Sequence, residues 1–108
     1  MAPRMVRDGR VAVLISTGYG AGWSTWNEEY PDMIWDVQVV DLLLQDLDFD
    51  QTFAKIKEIC AIKYPDAYIG GLDGLRVEWV QQGEKFRVTE YDGSERIEYF
   101  SNMDWHQA

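Results

Sequence analysis

The sequence predicts an α+β fold, a mainly antiparallel sheet of about five strands with two helices packed on one face. Three observations lead there. The run Val11-Ala12-Val13-Leu14-Ile15 is almost continuously apolar, as in a central strand buried on both faces. Residues 33–63 then place apolar side chains at helical spacing in two successive stretches. From Ala67 onward the period falls to two, with turn signals between the runs. The expected order is β-α-α-β-β-β-β, in one domain over residues 1–108.

Residues 1–8 read as a loose lead and Asp8-Gly9 as a turn. Residues 11–17 form the first strand, which Gly18 ends. The next stretch, Gly18-Tyr19-Gly20-Ala21-Gly22-Trp23-Ser24-Thr25-Trp26-Asn27, carries no charge. It makes a poor helix, because each of its three glycines costs about 1 kcal/mol against alanine. As a solvated loop it would leave Tyr19, Trp23 and Trp26 in water, so the core, a ligand or a partner must cover them.

Residues 28–32 read as a helix start, with Asp32 available as a cap. Over residues 33–45, Met33, Val37, Val40 and Leu44 follow helical spacing. Trp35, Val39, Leu42 and Leu43 add a second apolar face. Such a helix is buried on two sides, one of which would meet the next helix or a second subunit. A homodimer is therefore expected.

Asp48 with Gln51 resembles a capping box for a helix over about residues 50–63. Its stripe is Phe49, Phe53, Ile56, Cys60 and Tyr64, and Pro65 stops it. Cys60 reads as a small core residue. Residues 67–69 form a short strand, and residues 70–74 a glycine-rich corner. Residues 75–80 and 86–91 alternate, Asp92-Gly93 marks a hairpin, residues 96–100 are the last strand, and 101–108 are a tail.

Composition narrows the function. The 108 residues are 46% hydrophobic and 14% aromatic, enough for one core, and disorder is excluded. No run of eighteen apolar residues offers a membrane span. The basic N-terminus lacks the apolar stretch of a signal peptide, so a cytoplasmic location is expected. Cys60 is the only cysteine and His106 the only histidine, which argues against cysteine-rich zinc sites and a Ser-His-Asp triad. No cofactor or metal is expected. Nineteen acids against ten bases give a net charge of −9, which opposes direct binding to nucleic-acid phosphates.

Four features carry candidate chemistry. In the loop, Gly20 and Gly22 would let a backbone approach a ligand closely. Tyr19, Trp23 and Trp26 would stack on a ring, and Ser24, Thr25 and Asn27 would supply hydrogen bonds. The spacing fits neither a Walker loop nor a dinucleotide fingerprint. Asp46, Asp48 and Asp50 begin like a calcium loop, but Lys57 stands at position twelve, and caps explain the cluster better. Glu78, Glu90, Glu95 and Glu98 lie on strands, where a facing pair would do acid–base work. Arg76, Lys85, Arg87 and Arg96 are interleaved with them, and cross-strand pairing is the simplest account. Arg76 and Arg87 are the candidates to hold a ligand's phosphates should they lie beside the loop.

Two stretches resemble short uncharacterised bacteriophage proteins: residues 11–27, ending Gly18-Tyr19-Gly20-Ala21-Gly22-Trp23-Ser24-Thr25-Trp26-Asn27, and residues 83–95, with Lys85-Phe86-Arg87-Val88-Thr89-Glu90-Tyr91-Asp92-Gly93-Ser94-Glu95. The resemblance implies a phage setting and an accessory protein that counters host machinery or defence by binding. It implies no catalytic residue. The leading expectation is a module that holds a small nucleotide-like ligand at residues 18–27. The alternative is an acidic inhibitor of the nucleic-acid-mimic, anti-CRISPR-like kind, seated in a basic groove of a host protein. An enzyme working through a carboxylate pair ranks third.

Overall fold

Strand β2 (Arg10–Ser16) has apolar side chains on both faces because a layer packs on each. Ala12 and Leu14 join a core with Trp23, Met33, Val39, Val40, Leu42, Ile56, Cys60, Tyr64, Leu72 and Leu75. Val13 and Ile15 join Val80 on the other face, beneath Ile34, Trp35, Phe86, Val88, Ile97 and Tyr99. Alternate Cβ atoms point to opposite faces of a strand, so one continuous apolar run serves two cores. The structure, a computed structural model, describes residues 3–18, 20, 22–45 and 47–100.

Around β2 the fold is α+β, and among the described residues it has two α-helices and five strands, all paired antiparallel. β1 (Val6–Arg7) pairs with one end of β2. β3 (Leu75–Gln81) pairs with its whole length, from Arg10↔Gln81 to Ser16↔Leu75. β4 (Phe86–Tyr91) and β5 (Ser94–Tyr99) form a hairpin in a separate two-stranded sheet over Val13 and Ile15. α1 (Val37–Leu44) and α2 (Phe49–Lys63) cover the opposite face. No helix among the described residues is long and apolar enough to cross a membrane.

Four local expectations are corrected. The strands form two sheets, because Val88, Ile97 and their neighbours bury their faces on β2 instead of extending its ladder. The lead is anchored: the Arg4 guanidinium lies 3.9 Å from the Trp35 ring centroid, Ala12 N–H donates to Met5 C=O, and Asp8 and Gly9, with φ of 51° and 75°, close a tight β1–β2 hairpin. Residues 67–69 are not a strand, because an asparagine side chain takes the place of a neighbouring strand. Tyr68 N–H donates to Asn27 Oδ1 at 2.7 Å, and Asn27 Nδ2 donates back to Tyr68 C=O at 2.9 Å.

The fourth correction concerns the first helix, which starts at Val37 and is capped by Asp36 instead of Asp32. Pro31–Trp35 is a 3₁₀ turn. Asp36 then leaves helical geometry, and its Oδ1 accepts from the N–H groups of Gln38 and Val39 at 3.0 Å each. Of the apolar residues of α1, Val39, Val40 and Leu42 are buried within the chain and Leu44 is exposed. Asp48 caps α2 as expected, accepting from Gln51 N–H at 2.8 Å. Phe49, expected on the buried stripe, is instead exposed and meets Phe53 edge-on. Asp46, His106 and the rest of the tail lie outside the described residues.

Candidate functional site

Residues 11–27 and residues 83–95 meet at one side chain. Glu95 follows the Asp92-Gly93 turn as the second residue of β5, and alternation directs it inward with Ile97 and Tyr99. It is only 1% exposed. Its Oε1 accepts from Ser16 N–H at 2.8 Å. Its Oε2 accepts from Trp23 N–H at 2.8 Å, Thr25 N–H at 3.0 Å and the Thr25 hydroxyl at 2.5 Å. Four donors thus satisfy a buried carboxylate, with no cation paired to it among the described residues. Gly20 N–H donates to Asp92 C=O, and the Ser94 hydroxyl to Thr17 C=O. Glu95 is neither a solvated strand acid nor half of a cross-strand ion pair, which corrects the sequence reading.

Among the described residues of the loop, several build this clamp, while Trp26 faces out. A Cβ on Gly22 would lie 2.4 Å from Thr25 Oγ1 and 3.0 Å from Glu95 Oε2, so glycine there lets the chain close on itself. Trp23 is fully buried, and its indole N–H donates to Met33 C=O at 2.8 Å. Asn27 is buried and also donates to Trp23 C=O. Ser24 and Thr25 belong to a 3₁₀ turn over Ser24–Trp26. Gly20 is exposed, and Tyr19 lies outside the described residues. Arg76 pairs with Glu78 at 3.3 Å and Arg87 with Glu98 at 2.9 Å, so both guanidiniums are engaged on strands. The centre of the loop is occupied by the protein's own carboxylate.

Trp26 faces out, at 42% exposure, and its ring lies 5.5 Å from that of Tyr68, itself 55% exposed. Glu90, the cross-strand partner of Glu95, accepts from Gly93 N–H at 2.8 Å and from the Trp26 indole N–H at 3.4 Å. The two opposed carboxylates therefore hold successive residues of one turn, Glu95 at Thr25 and Glu90 at Trp26. Glu28, Glu29 and Asp66 are exposed nearby in the chain, as is Asp92 beyond Glu90. A hollow of about 410 Å³ adjoins, lined by Thr89, Glu90, Tyr91, Ser94 and Arg96. Among the described residues Thr89 Oγ1 has no hydrogen-bond partner, though it is buried there. Thr89→Val keeps the shape and removes the orphan, so thermal melts should show a gain of about 1 kcal/mol.

A second buried carboxylate organises the helical layer. Asp36 Oδ2 accepts from the Tyr64 hydroxyl at 2.5 Å and Lys63 Nζ at 3.1 Å, while Oδ1 caps α1. Burial pushes its pKa up, but the bonds from Tyr64, Val39 N–H and Lys63 outweigh burial and hold it below its ordinary 3.8. Burial and the Asp36 bond raise Tyr64 well above its ordinary 10.0. Burial, reinforced by the Asp36 charge, pushes the Cys60 thiol up to about 11, which fits an inert core residue. Among the described residues no group of three or more His, Cys, Asp or Glu is placed to hold a metal ion. No protein-family model, curated protein or solved structure matches the chain.

Proposed function

We propose that this protein acts by binding, not catalysis, as a phage-type accessory module that docks a basic surface of a host nucleic-acid-handling protein in the host cytoplasm. The observation that carries the reading is the exposed Trp26–Tyr68 pair, abutted by Glu90 and held on a rigid base. Aromatic faces attract guanidinium and ammonium groups, and neighbouring carboxylates strengthen that attraction. The chain's charge of −9 favours a cationic partner overall. Most of its own cations are already engaged. Arg4, Arg7, Lys57 and Lys85 lie over rings, and Lys63, Arg76, Arg87 and Arg96 are in ion pairs. A nucleotide-like ligand inside residues 18–27 has less support, since an anion there would meet Glu95.

Titration with an arginine-rich peptide, followed by NMR, tests the reading. Shifts should concentrate at the Trp26 indole, Tyr68 and Glu90. Trp26→Ala with Tyr68→Ala should weaken binding roughly tenfold, about 1.4 kcal/mol. Asp48→Asn with Asp50→Asn, which removes two charges from α2, should leave those shifts in place. Diffuse shifts that ignore the aromatic substitutions would overturn the reading.

A further inference from the structure

We propose that the β1–β2 hairpin carries a second, separate site, for a small phosphate-bearing anion held by Arg7, Arg10 and the ring edge of Trp79. Arg7 and Arg10 are direct cross-strand partners, fixed on either side of the Asp8-Gly9 turn. Like charges placed opposite each other on a ladder repel. Acids outnumber bases nineteen to ten in this chain, yet neither guanidinium makes an ion pair among the described residues, whereas Arg76, Arg87 and Arg96 all do. Two opposed arginines, Arg7 resting over the Trp79 ring and neither in an ion pair among the described residues, form a locally positive spot that an anion would bridge.

The surroundings fit a ligand of that class. Arg7, Asp8, Arg10 and Trp79 line a hollow of about 490 Å³. The Arg7 guanidinium lies 5.8 Å from the Trp79 ring centroid, and Trp79 is itself packed against the main core, so one wall is rigid. Gln82 N–H donates to Gly9 C=O, tying the hairpin to the end of β3. A guanidinium presents a planar fork of donors that matches phosphate oxygens, and two such forks suit a dianion better than a single carboxylate. Asp8 lines the same hollow and opposes an anion, so the two guanidiniums together must outweigh its charge.

The test is titration of the full chain with inorganic pyrophosphate and, separately, with ADP, observing the arginine side-chain Nε–H signals. Saturable shifts of Arg7 and Arg10 are expected. Arg7→Gln with Arg10→Gln should raise Kd roughly tenfold or more, while Arg87→Gln leaves it unchanged. Tighter binding of ADP than of pyrophosphate would identify a nucleotide as the source of the phosphate, and equal or weaker binding a free phosphate. No saturable shift at millimolar ligand, or equal affinity in the double variant, overturns the proposal. None of these outcomes depends on Trp26 or Tyr68, so this site and the cationic-partner face fail or stand separately.

Discussion

Glu95→Ala should destabilise the fold by roughly 3–5 kcal/mol, because it strands three backbone N–H groups and one hydroxyl in the interior. In a domain of this size that is a fall in melting temperature of about 12 °C or more. Glu95→Gln keeps the volume and one acceptor oxygen, so it should fall between wild type and alanine. The effect should concentrate in the loop. Trp23 would lose its backbone anchor, and its emission should move to longer wavelength. Urea melts of the three proteins, read by circular dichroism and tryptophan fluorescence, check both parts. Near-equal stability of all three would mean that the carboxylate is dispensable.

Asp36→Ala has the second-largest expected effect, roughly 2–4 kcal/mol. It removes the cap of α1, worth about 1 kcal/mol. It also leaves the buried Tyr64 hydroxyl without its acceptor. Lys63, partly in water, adds little. The pH dependence has a definite sign. The folded pKa of Asp36 lies below its ordinary 3.8, so its stabilisation is complete above that value and is lost as pH falls through the folded pKa. The gap between wild type and Asp36→Ala should therefore narrow on acidification below about pH 4. Tyr64 is raised, so its contribution is complete below 10.0 and is lost as pH rises beyond. Denaturant melts at stepped pH measure both limbs.

What could be read from the sequence followed periodicity. The unbroken apolar run of β2 announced burial on both faces, and both cores are there. The stripe Ile56, Cys60, Tyr64 and the cap Asp48 were legible because spacing and capping are local. The division of five strands into two sheets was not, since Phe86 and Val88 alternate alike whether their sheet extends a neighbour or lies across it. Segment 67–69 looked extended, but nothing local shows that its partner is the side chain of Asn27.

The candidate site shows the same limit. The loop was singled out because exposed Trp residues and clustered glycines need an explanation. The explanation, Glu95, lies 72 residues from Trp23 and 70 from Thr25. A signal existed: Glu95 falls on the inward set with Ile97 and Tyr99, and Glu90 shares a face with Phe86 and Val88. An acid in phase with the apolar face of a hairpin indicates a buried carboxylate with donors waiting. Trp23 and Trp26 stand three apart and were indistinguishable by type, yet one is core and the other surface, because the 3₁₀ turn between them rotates the chain.

The central claim is that Glu95 locks residues 16–25 and the β4–β5 hairpin into one rigid base under the Trp26–Tyr68 face. Amide hydrogen exchange at Ser16, Trp23 and Thr25 tests it most directly. The three N–H groups should be protected together in the wild type, and Glu95→Gln should speed their exchange while the amides of α2 keep most of their protection. Exchange at those three positions as fast as at the exposed loop residues of the wild type would contradict the account.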